Sequence, residues 1–349
     1  MKREEIIMAL SGVVHPETGD SIVTSGMVAS VELLGSECRI TLQPKRRRDP
    51  MIGSVRRKVK EALVERFPEL QVEVEVGEAA PAPEIKEHHG TNSVVNIIAI
   101  ASGKGGVGKS TVTANLAVVL QKMGYRVGVL DADIYGPSVP KLFGVEGYQP
   151  VPDYHDGLDY ILPIESCGVK VMSIGFFINP DDALLWRGPM AVSALKQLIN
   201  QTWWEELDFL LVDMPPGTGD VHLSVVQEMK LSGAIIVSTP QQVAVADVVR
   251  GVEMFRTPQI EVPVLGIIEN MAWFTPAELP NNRYYLFGHG GARDLATKES
   301  IPFLGEIPIV QSIMEHSDNG EPAAVKDETI AAYYRLVAEQ IVENLSKTC

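Results

Sequence analysis

The sequence is poor in cysteine and has no long apolar run. Its three cysteines, Cys38, Cys167 and Cys349, are odd in number and far apart, which excludes a dense disulfide framework and fits a reducing compartment. No stretch approaches the roughly 18 to 20 apolar residues that a membrane-spanning helix needs. Residues 1–5 lead into no signal-peptide core. We therefore expect a cytoplasmic protein.

Basic residues are scarce relative to acidic ones. The chain has 45 Asp and Glu residues against 30 Lys and Arg residues, a formal net charge of −15. Nucleic acids and anionic lipids are bound mainly through Lys and Arg, so this balance disfavours both as partners. The local basic residues at 45–48 and 56–58 indicate a solvated loop and the start of a helix. We expect no nucleic-acid partner and no membrane partner.

The pattern of apolar residues predicts two domains joined by a linker. Residues 1–77 are predicted to form a small α+β domain, with helices near 4–10 and 52–67 and strands near 27–34, 38–42 and 72–76. Residues 78–93 lack periodicity and are rich in Pro, Ala and Glu, which is typical of a semi-extended linker. Residues 94–349 form the second and larger domain.

Short apolar runs alternate with helical patterns along the second domain. The runs lie at 95–101, 127–130, 169–174, 209–212, 234–238, 264–268 and 303–307. The helical patterns include those at 110–122, 191–200, 221–230 and 243–255, and a final one lies at 327–345. Such runs suit strands that are buried on both faces, and their alternation with helices predicts an α/β fold with a doubly wound, mostly parallel sheet.

A glycine-rich loop follows the first of these runs. It has the spacing G-x-x-x-x-G-K-S between a predicted strand and a predicted helix, and consists of Gly103, Lys104, Gly105, Gly106, Val107, Gly108, Lys109 and Ser110. In this context the backbone N–H groups and the helix N-terminus bind the phosphates of ATP. Lys109 is placed to reach the β and γ phosphates, Ser110 to bind Mg²⁺, and Thr111 to contact the α phosphate. We expect a P-loop ATPase with ATP and Mg²⁺ as cofactors.

A second lysine, Lys104, stands inside the loop. A side chain at this position points away from the phosphates of its own loop. It can therefore reach a nucleotide in a facing subunit and stabilise charge in the transition state, as arginine fingers do. A solvated lysine without a role is the alternative interpretation.

Two further apolar runs end in carboxylates. One leads into Asp131 and Asp133, and another into Asp213 and Gly217. Open α/β sheets bind ligands at the carboxyl ends of their strands. We expect Asp133 to orient the attacking water, Asp213 to hold Mg²⁺ through water, and Gly217 to offer its N–H near the γ phosphate. Either aspartate taken alone is also explained as an ordinary loop cap.

Together these elements resemble the deviant Walker A ATPases, the group that includes MinD, ParA and the nitrogenase iron protein. Four motifs narrow the resemblance to the Mrp/NBP35 (ApbC) family of iron–sulfur cluster carriers: DADIYGPS at 131–138, WRGPM at 186–190, DMPPGTGD at 213–220 and FGHGG at 287–291. Residues 14–19 and 22–28 resemble the MIP18 (DUF59) domain that is often fused to such proteins.

The resemblance implies a homodimer that binds ATP between its subunits and hydrolyses it slowly. It also implies that the protein works with iron–sulfur assembly proteins and carries clusters to apoproteins. By the same resemblance, Lys104 acts across the dimer and Asn270 contacts the adenine. Without it, Asn270 is equally explained as a turn cap after the run at 264–268.

The chain departs from this family where the family usually has a C-x-x-C pair. The aligned positions are Thr275 and Glu278. Clusters are held mainly by cysteine thiolates, and a threonine hydroxyl is a poor substitute. Cys38 is predicted to be buried on a strand, Cys167 precedes a strand, and Cys349 lies at the last position of the sequence. The iron–sulfur ligands therefore stay unassigned.

Two other functions are consistent with parts of the sequence. A MinD/ParA-like dimerisation switch or scaffold that binds no cluster itself would explain the missing cysteine pair. The mixed charges at 333–340 disfavour membrane targeting for such a switch. A metabolic kinase shares the P-loop but has no use for Lys104.

Replacing each of the two loop lysines is expected to affect ATP binding and hydrolysis differently. Lys109→Ala should abolish ATP binding or turnover because it removes the charge that binds the phosphates. Lys104→Ala should spare binding and slow hydrolysis. Equilibrium nucleotide binding and steady-state phosphate release, measured on both variants, separate the two effects. Full activity in both variants would contradict this mechanism.

Overall fold

The computed structural model describes residues 3–16, 21–23, 25–34, 37–43, 51–77, 90–155, 158–178 and 188–348. The chain divides into two compact units, Met1–Glu87 and His88–Cys349. Residues 78–89 of the predicted linker, the basic residues at 45–48 and residues 186–187 of the WRGPM motif lie outside the described residues. Gly90 already belongs to the second unit, since its N–H donates to the carbonyl of Asn200.

The first unit has the predicted α+β composition. Its elements are α1 (Arg3–Leu10), β1 (Val28–Leu34), β2 (Glu37–Leu42), α2 (Ile52–Arg66) and β3 (Gln71–Val76). The three strands lie in the order β1-β2-β3, with the first pair antiparallel and the second parallel. Alternate residues of β2 pack with both helices in one apolar core. This alternation confirms the prediction that Cys38 is buried.

The second unit contains the larger sheet and most of the helices. Its elements are β4 (Val94–Ala101), α3 (Lys109–Lys122), β5 (Val127–Asp131), α4 (Val139–Leu142), β6 (Pro152–His155), β7 (Leu158–Ile161), β8 (Ile164–Ser166), β9 (Val169–Ser173), α5 (Gly188–Gln201), β10 (Leu207–Asp213), α6 (Asp220–Glu228), β11 (Gly233–Ser238), α7 (Gln242–Arg256), β12 (Val264–Phe274), α8 (Gly291–Lys298), β13 (Phe303–Ile309), α9 (Gln311–Asp318) and α10 (Glu328–Thr348). None of the helices in the described ranges combines the length and the apolar character that crossing a bilayer requires.

The large sheet confirms the predicted doubly wound α/β fold. Its strand order is β13-β12-β11-β4-β10-β5-β9-β8, and all neighbours are parallel except β8, which runs antiparallel to β9 at one edge. Ile98 and Ile100 of β4 pack in the core that also contains α3 and α10, while Ile97 and Ala99 pack in the core that contains α5 and α7. The apolar runs are continuous because helices cover both faces of the sheet.

The structure differs from the sequence prediction at short elements and at one strand end. The hairpin of β6 and β7 and the edge strand β8 were not anticipated, because each has only three or four residues and shows no readable periodicity. Strand β12 runs past Ile268 as far as Phe274. Asn270 therefore lies inside the strand, paired with Ile307 of β13. The turn-cap explanation of Asn270 is wrong.

A histidine on α6 is buried with one ring nitrogen unpaired. His222 is 2% exposed, and its Nε2 has no hydrogen-bond partner among the described residues. The other ring nitrogen, Nδ1, is therefore the one that donates to the backbone carbonyl of Pro215. Burial lowers the pKa of His222, and the positive charge of Lys109 acts in the same direction. The ring is consequently neutral in the folded protein at neutral pH.

This histidine should make the protein less stable as the pH falls. The unfolded chain takes up a proton at its ordinary pKa of about 6.5, whereas the folded protein stays neutral to lower pH, so the free energy of unfolding decreases below about pH 6.5. His222→Asn keeps a donor near the position of Nδ1 and removes the titration. Its urea-unfolding midpoint should therefore fall less than that of the wild type between about pH 7.5 and 5. Parallel pH profiles for the two proteins would refute the assignment.

Candidate functional site

Five parallel strands bring their carboxyl ends to one edge of the large sheet. In the spatial order β12, β11, β4, β10 and β5, this edge carries Asn270 within β12, Gln241 after β11, the glycine-rich loop after β4, Asp213 at the end of β10 and Asp133 after β5. The loop after β4 therefore lies between the segments that follow β10 and β11. This lateral order explains why residues that are far apart in the chain meet at one place.

The glycine-rich loop joins β4 to α3 and is held on two sides. Gly108, the N-cap of α3, has a left-handed φ of 80°. A Cβ at this position would collide with the side-chain amide of Asn270, so glycine is required both by conformation and by space. On the other side, a Cβ on Gly103 would lie 2.5 Å from the carbonyl carbon of Asp247 in α7. The loop is thus fixed between β12 and α7.

The loop borders a cavity of about 260 Å³. Its described lining consists of Ser102, Lys104, Gly105, Gly106, Val107, Gly108, Lys109, Ser110, Thr111, Asp133, Gly136, Ser138 and Pro216. Most of these residues are the loop and the start of α3, where backbone N–H groups and the helix dipole favour an anion. A cavity with this size and lining suits the phosphate chain of a nucleotide.

Lys109 lies in a buried cluster of charged and hydroxyl groups. Its side chain is 6% exposed, and its ammonium group is 2.8 Å from Oδ1 of Asp213 and 3.8 Å from Oδ2 of Asp133. Asp213 also accepts hydrogen bonds from Ser110 Oγ at 2.5 Å and from Thr113 Oγ1 at 2.8 Å. Carboxylate and hydroxyl oxygens are the ligands that magnesium prefers, so Ser110 and Asp213 fit a Mg²⁺ site.

The two aspartates at the carboxyl end of β5, Asp131 and Asp133, occupy different environments. Burial raises the pKa of Asp131 to about 8, and the nearby charge of Asp213 contributes in the same direction. The Asp131 carboxyl group accepts hydrogen bonds from the N–H groups of Asp133 and Val139 and from the Ser173 hydroxyl. Asp131 thus shapes the loop that carries Asp133.

Asp133 is the aspartate that faces the cavity. Burial raises the pKa of Asp133, while the charge of Lys109 opposes that shift. Its Oδ1 is buried and has no hydrogen-bond partner among the described residues. An unpartnered carboxylate oxygen at the edge of a phosphate cavity is able to accept a hydrogen bond from a water molecule there.

Three further predicted residues already have partners within the chain. Lys104 lines the cavity, and its Nζ donates to Oε1 of Gln241 at 3.4 Å. The N–H of Gly217 donates to the carbonyl of Ser102 at 3.0 Å. The side-chain amide of Asn270 donates to the carbonyl of Val107 at 2.8 Å, so this residue supports the glycine-rich loop directly.

The structure brings together no cysteine pair in the part of the chain that it describes. Cys38 is buried in the first unit, Cys167 is half-buried in the second, and Cys349 lies outside the described residues. Thr275 follows directly after β12, and Glu278 is exposed three residues further on. Within the described ranges, no group of three or more His, Cys, Asp or Glu residues is arranged to hold a metal ion.

Sequence reasoning missed several residues that complete this site. Thr113 lies one helical turn after Lys109, a spacing that places both on the same face of α3. Gln241 follows β11 at the same sheet edge as the predicted site. Its proximity to Lys104 depends on β11 being the neighbour of β4, which no local pattern reveals. Ser173 reaches Asp131 for the same kind of reason, because β9 lies beside β5.

Solved structures show which proteins this chain resembles. A nucleotide-binding protein from Archaeoglobus fulgidus, solved in complex with ADP, aligns with a TM-score of 0.60 and 39% identity over 72% of this chain and 98% of that one. The cell division ATPase MinD from Pyrococcus furiosus aligns with a TM-score of 0.52 and 23% identity over 71% of this chain and 99% of that one. The second likeness shows the fold alone.

Sequence relatives extend the similarity over the whole chain. The iron–sulfur cluster carrier protein of Aquifex aeolicus is 39% identical over 370 residues, covering 99% of both chains. The iron–sulfur cluster transfer protein NUBPL of Dictyostelium discoideum is 45% identical over 254 residues, covering 72% of this chain and 77% of that one. Residues 3–76 match the iron–sulfur cluster assembly protein family. Residues 93–344 match the family described as NUBPL iron-transfer P-loop NTPase, and the chain therefore belongs to that family.

Proposed function

We propose that this protein binds and hydrolyses ATP and carries iron–sulfur clusters to apoproteins as an assembly factor. The observation that carries the proposal is the buried Lys109–Asp213–Asp133 cluster behind a glycine-rich loop, in a chain whose relatives are named as cluster carriers. The scattered cysteines fit a reducing compartment, so we place this work in the cytoplasm.

The nucleotide phosphates bind to the N–H groups of residues 105–111. Lys109 turns from Asp213 toward the β and γ phosphates, because a polyphosphate offers it a larger negative charge than one carboxylate does. Ser110 and Asp213 are freed to hold Mg²⁺, which would neutralise charge on the phosphates, and Thr111 contacts the α phosphate. Gly217 exchanges the carbonyl of Ser102 for the γ phosphate, and Asn270 lies beside the adenine.

Asp133 orients the water that attacks the γ phosphate. Its burial and its raised pKa favour a carboxylate that accepts a proton more readily than an exposed aspartate does. The backbone that carries it is held by the hydrogen bonds to Asp131. Transfer to water, and not to a second substrate, makes the reaction a hydrolysis.

The protein works as a homodimer in which Lys104 of each subunit reaches the nucleotide of the other. Several large apolar side chains are exposed near the sheet edge that carries the glycine-rich loop: Tyr135 lies two residues after Asp133, Val243 lies in the first turn of α7, and residues 284–287 lie in the segment after β12. Exposed apolar patches of this kind mark protein interaction surfaces. A slow, dimer-dependent ATPase follows from a catalytic lysine that must come from the partner.

The binding of an iron–sulfur cluster is the part of this proposal in which the chain departs from the usual family pattern. Thr275 and Glu278 stand where the family usually has two cysteines, so this position cannot supply two thiolates. Cys167 is the half-buried cysteine of the described residues and the one that a cluster can approach. A second candidate function, a dimerisation switch that binds no cluster itself, would explain this substitution, but the relatives named as cluster carriers do not favour it.

Anaerobic reconstitution with iron and sulfide tests the carrier function. We expect a stoichiometric cluster per dimer, counted as bound iron and labile sulfide, and we expect Cys167→Ser or Cys349→Ser to lose it. The double variant Thr275→Cys/Glu278→Cys is the matched control, because it restores the usual ligand pair at the end of β12. If the double variant binds a cluster and the wild type binds none, the carrier function is contradicted and the dimerisation switch is the better explanation.

A further inference from the structure

Lys104 and Lys109 belong to one loop but are held in different ways. Lys109 is ion-paired with two buried carboxylates. The half-buried Lys104 instead donates from Nζ to Oε1 of Gln241 across 3.4 Å. No carboxylate of the described residues forms an ion pair with it. One lysine is therefore held by charge, and the other by a neutral amide.

Gln241 is held in position by its own surroundings. It is the N-cap residue of α7, with extended backbone angles of −64° and 138°. The hydroxyl of Thr239 donates to the same Oε1 atom at 2.9 Å. An amide oxygen has two lone pairs and can accept from both donors at once. Thr239 thus orients the amide so that its oxygen faces Lys104.

The backbone before Lys104 is fixed on the same helix. Gly103 approaches α7 so closely that a Cβ would lie 2.5 Å from the carbonyl carbon of Asp247 and 2.7 Å from the nitrogen of Val248. A lysine that follows this anchored residue starts close to α7, within reach of its N-terminus. The contact with Gln241 therefore follows from backbone packing as well as from the side chains.

The contact is weak enough to be exchanged for a phosphate. The N-terminus of α7 carries a partial positive charge, which repels an ammonium group. The first turn of α7 contains no acidic residue that would offset this repulsion. A phosphate oxygen carries negative charge, so it attracts the ammonium group more strongly than the neutral amide oxygen of Gln241 does. When a nucleotide phosphate comes within reach, the Lys104 ammonium group will consequently exchange its hydrogen bond to Gln241 for one to the phosphate.

We propose that Gln241 is a positioning residue for Lys104, holding the lysine beside α7 of its own subunit until a phosphate in the facing subunit takes it. This inference rests on the proposed homodimer, because the phosphate that receives Lys104 belongs to the partner's nucleotide. Gln241 does not touch the nucleotide. It sets how easily the lysine leaves its own subunit, and so it tunes the rate of hydrolysis.

Replacing Gln241 should change hydrolysis in opposite directions. Gln241→Glu turns the contact into an ion pair, so kcat should fall about tenfold with little change in KM, and added salt should relieve the loss. Gln241→Ala frees the lysine, and kcat should rise about two- to fivefold, the scale of one weak hydrogen bond. Gln242→Glu is the matched control. It adds the same charge to the first turn of α7 at an exposed position, and it should leave kcat unchanged.

Lys104→Ala distinguishes the inference from the proposed function. In that background Gln241→Glu and Gln241→Ala should have no effect on kcat, because the lysine that they act on is gone. Equal effects with and without Lys104 would overturn the role of Gln241 while leaving the ATPase mechanism standing. Wild-type hydrolysis by Lys104→Ala alone would instead overturn the dimer mechanism.

The contact itself is tested without nucleotide. A double-mutant cycle combines Lys104→Ala with Gln241→Glu and measures thermal unfolding of the apoprotein. We expect the two changes to be non-additive, because Gln241→Glu stabilises the protein more when Lys104 is present to pair with it than when only the dipole of α7 favours the new carboxylate. Additive effects would mean that the two side chains do not meet, and would overturn the inference whatever the ATPase rates show.

Discussion

The arrangement of the sheet edge that carries the glycine-rich loop depends on one buried ammonium group. Lys109 is the first residue of α3, where the helix dipole opposes a positive charge, and its side chain is 6% exposed. A buried charge without a partner costs several kcal/mol. Asp213 and Asp133 supply the partners of the Lys109 ammonium group, at 2.8 Å and 3.8 Å. The ion pairs of Lys109 therefore hold the glycine-rich loop and α3 against the ends of β5 and β10.

The same cluster limits how much negative charge can gather around the lysine. Asp131 and Asp213 are paired residues of adjacent strands, and the pKa of Asp131 is raised to about 8 by burial and by Asp213. Burial and the nearby charge of Asp213 thus both disfavour a second negative charge at this position. A bound triphosphate would add negative charge beside Lys109, and in the proposed cycle Mg²⁺ compensates for it while Asp213 changes partners. The arrangement suits a site that alternates between an internal ion pair and a bound nucleotide.

Two adjacent residues of β12 connect the glycine-rich loop to the segment that contains Thr275 and Glu278. Asn270 donates to the loop carbonyl of Val107. Glu269, 1% exposed, accepts hydrogen bonds from the N–H groups of Gly290 and Ala292 at the start of α8. The exposed segment between β12 and α8, with Thr275 and Glu278, is therefore tied at both ends to a strand that also supports the phosphate loop.

What the sequence by itself determined was local: the glycine-rich loop between β4 and α3, the carboxylates that end β5 and β10, and the alternation that predicts a doubly wound sheet. These signals are legible because spacing, turn chemistry and burial on both faces act within short stretches of chain. Only the tertiary structure decided which ends become neighbours. Lys104 meets Gln241 across 137 positions because β11 lies beside β4, and Asn270 supports the loop because β12 extends six residues further than its apolar run. Lateral strand order is set by the packing of the whole sheet, so no local pattern carries it.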